Sequence, residues 1–117
     1  MPKKILVVDD EPHLVKYLTT FLEDSGYDTC SASNGEEAFE VLKKEQPDLV
    51  TLDLQMPNET GTWFYRNMTK DKSFKTLPVI IISGLPGRHL AVSKPFAVFD
   101  KPIDRDALLE EIKKAIG

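Results

Sequence analysis

Two adjacent aspartates, Asp9 and Asp10, close the apolar run Ile5-Leu6-Val7-Val8, and Asp53 closes Leu49-Val50-Thr51-Leu52. Ser83 follows Pro78-Val79-Ile80-Ile81-Ile82, and Lys101 follows Ala97-Val98-Phe99-Asp100. Set side by side as strands, these runs would bring carboxylates, a hydroxyl and an ammonium into one small space. Crowded carboxylates repel one another unless a cation neutralises them. Oxygen donors with no histidine or cysteine among them suit a hard ion such as Mg²⁺, which keeps several waters and accepts phosphate oxygens. An aspartate can also serve as a nucleophile that forms an acyl-phosphate. Phosphoryl transfer asks mainly for in-line positioning and for neutralisation of the equatorial oxygens. The cation, Lys101 and the Ser83 hydroxyl are suited to that work, and Gly84 leaves room for an incoming donor. Taken singly, each residue is ordinary: an aspartate is a turn former or cap, and Ser83-Gly84 is a turn pair. The chemistry rests on their all falling at the same ends of separate strands.

The elements that would position them alternate along the chain. Ile5–Val8 is a short β-branched run of the kind buried on both faces of a sheet. Pro12 suits the first turn of a helix whose inner stripe is Leu14, Val15, Leu18, Phe21 and Leu22, ending near Gly26. Thr29 to Ala32 is a weaker strand, and Ser33-Asn34-Gly35-Glu36-Glu37 starts a second helix with acids in its first turn. Ala38, Phe39, Val41 and Leu42 form its inner face, and Pro47 follows its end. A third strand runs from Asp48 to Asp53, and a helix around Thr62–Lys70 carries Trp63, Phe64 and Met68. Two further strands follow, and Asp104 can cap a last helix holding Ala107, Leu108, Ile112, Ala115 and Ile116. Five strands alternating with helices predict an α/β fold, a five-stranded doubly wound parallel sheet. Such sheets bind ligands at the carboxyl ends of their strands, where the aspartates stand.

Composition narrows the field. The 117 residues fit one domain, 1–117, with 41% hydrophobic and 29% charged residues. A net charge of −4 gives no basic stripe for nucleic acid. Cys30 is the single cysteine, so no internal disulfide forms and a cytoplasmic location is expected. Cys30 reads as a plain thiol, and no run approaches a signal peptide or a membrane span.

Four segments together resemble the response-regulator receiver domains of two-component signalling, the CheY-like family. They are ILVVDDEP (Ile5–Pro12), DLVTLDLQMPNETG (Asp48–Gly61), PVIIISG (Pro78–Gly84) and FDKPID (Phe99–Asp104), and they span nearly the whole chain. The resemblance implies a flavodoxin-like receiver fold and a phosphoacceptor in a phosphorelay, a signalling protein rather than an enzyme with a separate substrate. It implies Asp53 as phosphoacceptor, with Mg²⁺ organised by Asp9 and Asp10 and bound by Asp10, Asp53 and the Gln55 backbone carbonyl. Ser83 and Lys101 match the hydroxyl and the lysine that contact the phosphoryl group. Implied partners are a sensor histidine kinase or histidine phosphotransfer protein and a downstream protein target. No direct nucleic acid or membrane contact is implied, and the state is a monomer or a phosphorylation-dependent homodimer.

Two features depart from the family pattern. The stretch from Ser83 to Lys101 is short, and Leu85-Pro86-Gly87-Arg88-His89 makes a poor helix, so a shortened or irregular fourth helix is expected there. Val98 stands where the family often has Tyr or Phe, with Phe96 and Phe99 nearby. Of two Lys-Pro pairs, Lys94-Pro95 lies too close to Ser83 to leave space for a crossover and a strand, which favours Lys101-Pro102. His13, at the start of the first helix, reads as solvated. A phosphohydrolase with its nucleophile after the first strand lacks a DxD arrangement here, and a nucleotide-binding loop would need Gly, Ser or Thr where Asp9-Asp10-Glu11-Pro12 stands. The alternative that keeps the fold is a non-phosphorylated protein-interaction module.

Overall fold

The structure, a computed structural model, describes residues 2–54, 56, 60–83, 96–100 and 103–117, with Ser83 and Asp100 described by backbone alone. The described elements, in chain order, are β1 (Lys4–Val8), α1 (Pro12–Asp24), β2 (Asp28–Ala32), α2 (Gly35–Glu45), β3 (Leu49–Asp53), α3 (Thr60–Lys70), β4 (Val79–Ser83), β5 (Ala97–Asp100) and α4 (Arg105–Ile116). All strand pairs are parallel, in the order β2-β1-β3-β4-β5. The doubly wound sheet expected from the alternation is therefore present, with the flavodoxin-like strand order. The irregular helix expected between β4 and β5, with Lys94 and His89, falls on residues 84–95, outside the described residues.

Two apolar layers hold the sheet, and strand alternation sorts residues between them. Leu6, Val8, Val50, Leu52 and Ile81 pack on one face with Ala38 and Leu42 of α2 and Phe64 and Met68 of α3. Ile5, Val7, Leu49, Ile80 and Ile82 pack on the other with Leu18 and Leu22 of α1 and Leu108 and Ile112 of α4. Each fully buried aliphatic side chain contributes about 1.5–3 kcal/mol of transfer free energy, so both layers are needed to offset the entropy of ordering the chain.

The helix ends follow from local chemistry. Pro12 opens α1, where its missing N–H costs nothing, and Gly26 takes the left-handed backbone (φ 98°) that turns the chain into β2. Helix α2 begins with a reciprocal cap: Asn34 Oδ1 accepts from Glu37 N at 2.8 Å, and Glu37 Oε1 accepts from Ser33 N at 2.7 Å. It ends on Gln46, a non-glycine residue at φ 47°, directly before Pro47. Proline disfavours right-handed helical backbone in the residue before it, which explains why the helix stops there without glycine. Asp104 caps α4 by accepting from the N–H groups of Asp106 and Ala107. Helix α3 starts at Thr60, two residues ahead of the sequence expectation.

Candidate functional site

The strand order changes direction between β1 and β3. Chain connections leave this point to opposite sides and open a crevice at the carboxyl ends of the strands. Val8, the last residue of β1, pairs with Leu52, so Asp9 and Asp53 emerge side by side. Asp53 in turn pairs with Ile82, and Ser83 with Asp100, so the ends of β4 and β5 continue the same rim.

Ligand atoms of Asp9, Asp10 and Asp53 all lie within 4.8 Å of one another. Asp9 and Asp53 are each only 2% exposed, while Asp10 is open to solvent. Burial of two carboxylates beside a third is costly without compensating partners or a cation. Local hydrogen bonds aim Asp9: its Oδ1 accepts from Glu11 N at 2.9 Å, and its own N–H donates to Ala32 O at 3.1 Å. The loop into α1 is thus folded around this carboxylate, and the end of β2 is tied to it. An all-oxygen donor set of this size suits a hard divalent ion, so these residues fit Mg²⁺.

Of the residues singled out from sequence, Asp9, Asp10 and Asp53 are brought together. Ser83 is placed by backbone at the end of β4. Gln55 and Lys101 lie outside the described residues. His13 is exposed and lines a groove with Tyr17, Phe21 and Arg105 between α1 and α4. Phe64 is core, whereas Trp63 is 43% exposed and rests against the Phe39 ring at 5.9 Å between centroids. Val98 faces outward at 37% exposure, while Phe99 packs against the α1–α4 layer. Cys30 is half-buried, and burial pushes its thiol up to about 11, the mark of an unreactive thiol.

Sequence reading missed an open groove of about 360 Å³ running from Asp9 and Asp10 across Val15 and Lys16 to Ser31 and Ser33. It also missed the tight backbone contacts of Gly35 and Gly61, where a β-carbon would collide with Thr60 O and Asp53 O. Glycine at each position was the available signal, but glycine alone does not say what it touches.

A parallel sheet with an acid triad at the β1–β3 switch point defines a receiver-type α/β protein. The chain matches the response regulator receiver domain family over residues 5–113 and belongs to that family. It is 33% identical to Protein Rrf1 of Nitratidesulfovibrio vulgaris over 117 residues, covering 100% of this chain and 85% of that one. Protein PilH of Pseudomonas aeruginosa is 33% identical over 97% of this chain and 98% of its own length. Among solved structures, the response regulator TrrA of Thermotoga maritima, in complex with Mg²⁺-BeF, superposes with a TM-score of 0.82 at 32% identity, covering 97% and 99% of the two chains.

Proposed function

We propose that this chain is one receiver domain over 1–117 that accepts a phosphoryl group on Asp53 in a Mg²⁺-dependent reaction and thereby switches its binding to a downstream protein. The observation that carries this reading is the convergence of Asp9, Asp10 and Asp53 within 4.8 Å at the switch point of the sheet. TrrA, a family relative that binds Mg²⁺-BeF, supports it.

In the proposed reaction an Asp53 carboxylate oxygen attacks the phosphorus of a phosphohistidine on a sensor kinase or histidine phosphotransfer protein. The P–N bond breaks as the acyl-phosphate forms, and the electron pair leaves with the imidazole nitrogen. Asp10, Asp53 and the Gln55 backbone carbonyl are the proposed ligands, with Asp9 fixing the cluster. Bound Mg²⁺ would neutralise the carboxylates and the phosphoryl oxygens. Ser83, at the end of β4, and Lys101, next in sequence after Asp100, are assigned the remaining phosphoryl oxygens. Asp53 is the group modified, so the chain is a signalling phosphoacceptor and turns over no separate substrate beyond its own phosphorylation and dephosphorylation. A cytoplasmic setting accords with a lone cysteine and with an intracellular phosphodonor.

Beryllofluoride binding tests this reading. Trp63, the single tryptophan, sits near the start of the helix that follows Asp53, and its fluorescence is expected to change on adding Mg²⁺ and beryllofluoride together. Asp53→Asn should abolish the change. An unchanged response in that variant would remove Asp53 from the role.

A further inference from the structure

We propose that Gly35, on a helix that contributes none of the proposed ligands, is a positioning residue for the Asp53 site, an inference that rests on the reading above. A β-carbon at Gly35 would lie 1.9 Å from Thr60 O, 2.6 Å from Thr60 C and 3.0 Å from Thr60 Cβ. At the very next residue of α3, a β-carbon at Gly61 would lie 2.7 Å from Asp53 O and 3.3 Å from Leu54 Cα. The first peptide of α3 is therefore wedged between the start of α2 on one side and the backbone of Asp53 on the other. Both contacts involve backbone atoms, which have no rotamer to turn away. The Thr60 hydroxyl at this joint is buried and has no hydrogen-bond partner among the described residues.

A side chain at position 35 would have to push Thr60 away by about 1 Å or more to reach an ordinary contact. Two routes of relief exist, and both end at the acid cluster. If α3 yields, the displacement passes through Thr60-Gly61 to Asp53. If α2 yields instead, its reciprocal cap carries Asn34 and Ser33 with it. The strain then reaches Ala32, whose carbonyl holds the Asp9 N–H at 3.1 Å. Mg²⁺ demands near-ideal octahedral geometry with ligands at about 2.0–2.1 Å, so neither shift is tolerated cheaply.

The test is a Mg²⁺ titration of the full chain by Trp63 fluorescence, comparing wild type, Gly35→Ala and Gly26→Ala. Gly26 has nothing within 4 Å of its would-be β-carbon and a φ of +98°, so Gly26→Ala costs stability without touching the wedge. Gly35→Ala is expected to weaken Mg²⁺ binding roughly 10- to 100-fold, the size of supporting-shell effects at metal sites, while Gly26→Ala leaves it unchanged. Binding by folded Gly35→Ala within about twofold of wild type would overturn the inference alone. A wild type that takes no Mg²⁺ would overturn the proposed function, and this inference with it. Should Gly35→Ala not fold, the wild-type amide resonances decide. Saturation with Mg²⁺ should shift Gly35 and Thr60 and leave Gly26 in place, and a static Gly35 would overturn the wedge.

Discussion

Single residues at this site differ in how much of their role follows from residue type. Asp9, Asp10 and Asp53 were legible in the sequence because β-branched runs end on them, and the strand pairing brings them within 4.8 Å. Thr60 was not legible. Its hydroxyl is buried without a partner among the described residues, and its backbone lies against Gly35, a residue distant in sequence. Thr60→Val replaces that hydroxyl with a methyl group of similar shape, and thermal or denaturant unfolding should show a gain of about 1 kcal/mol. A loss of stability would mean that the hydroxyl is satisfied in solution. Cys30 gives a second residue-scale expectation. Its thiol is raised to about 11, chiefly by burial, with Glu45 adding to the rise and Lys4 opposing it. Labelling of the folded chain should be slow at pH 8 and still be rising at pH 10, whereas an ordinary thiol levels off near pH 9. A raised folded-state value also means that this group's contribution to stability is complete below the ordinary thiol range. It is lost as pH climbs from there through about 11.

Elements place these residues, and here the sequence was informative in the strands and less so at the helix ends. The four strands that bear the site read as apolar runs, and their parallel direction followed from the alternation with helices, whereas their register is set by the fold. Helix α2 illustrates what was missed. Its start was visible in Ser33-Asn34-Gly35-Glu36-Glu37 and its end in Pro47, but the left-handed backbone of Gln46 was not, because that conformation favours glycine or asparagine. Pro47 disfavours right-handed helical backbone in its predecessor, which stops the helix at that point. Helix α3 starts at Thr60, which packs against Gly35 of α2, a contact between helices that no local pattern encodes. The cap on α2 carries an element-scale prediction. Asn34→Ala removes the acceptor for Glu37 N and should cost about 0.5–2 kcal/mol in unfolding experiments. Asn34→Asp should keep most of that stability. Equal losses in the two variants would show that the cap contributes nothing.

At the scale of the whole molecule, the fold brings three carboxylates within 4.8 Å of one another, a group that fits a metal ion. If Mg²⁺ binds the folded chain in preference to the unfolded one, ligand linkage should add stability when it binds. At 100 times its dissociation constant, Mg²⁺ should raise the unfolding free energy by about 2.7 kcal/mol, and a chelator should remove that gain. Asp10→Asn separates the two effects. Asp10 is the exposed member of the cluster, so the substitution costs little desolvation and removes one repelling charge. The variant should be as stable as wild type or more so without Mg²⁺, and it should lose most of the Mg²⁺-dependent gain. A variant that is less stable without metal and still stabilised by Mg²⁺ would contradict the cluster's role as a cation site. Among the described residues no helix is long and apolar enough to cross a membrane.

The most direct test of the central claim is the intact mass of the chain after incubation with acetyl phosphate. It should be measured with and without Mg²⁺, for wild type and Asp53→Asn. The expected result is the addition of one phosphoryl group to wild type only, and only when Mg²⁺ is present. No addition to wild type, under conditions where a control receiver is labelled, would contradict the account and leave a protein-interaction module of the same fold. Addition to Asp53→Asn at the wild-type level would move the phosphoacceptor away from the switch point of the sheet.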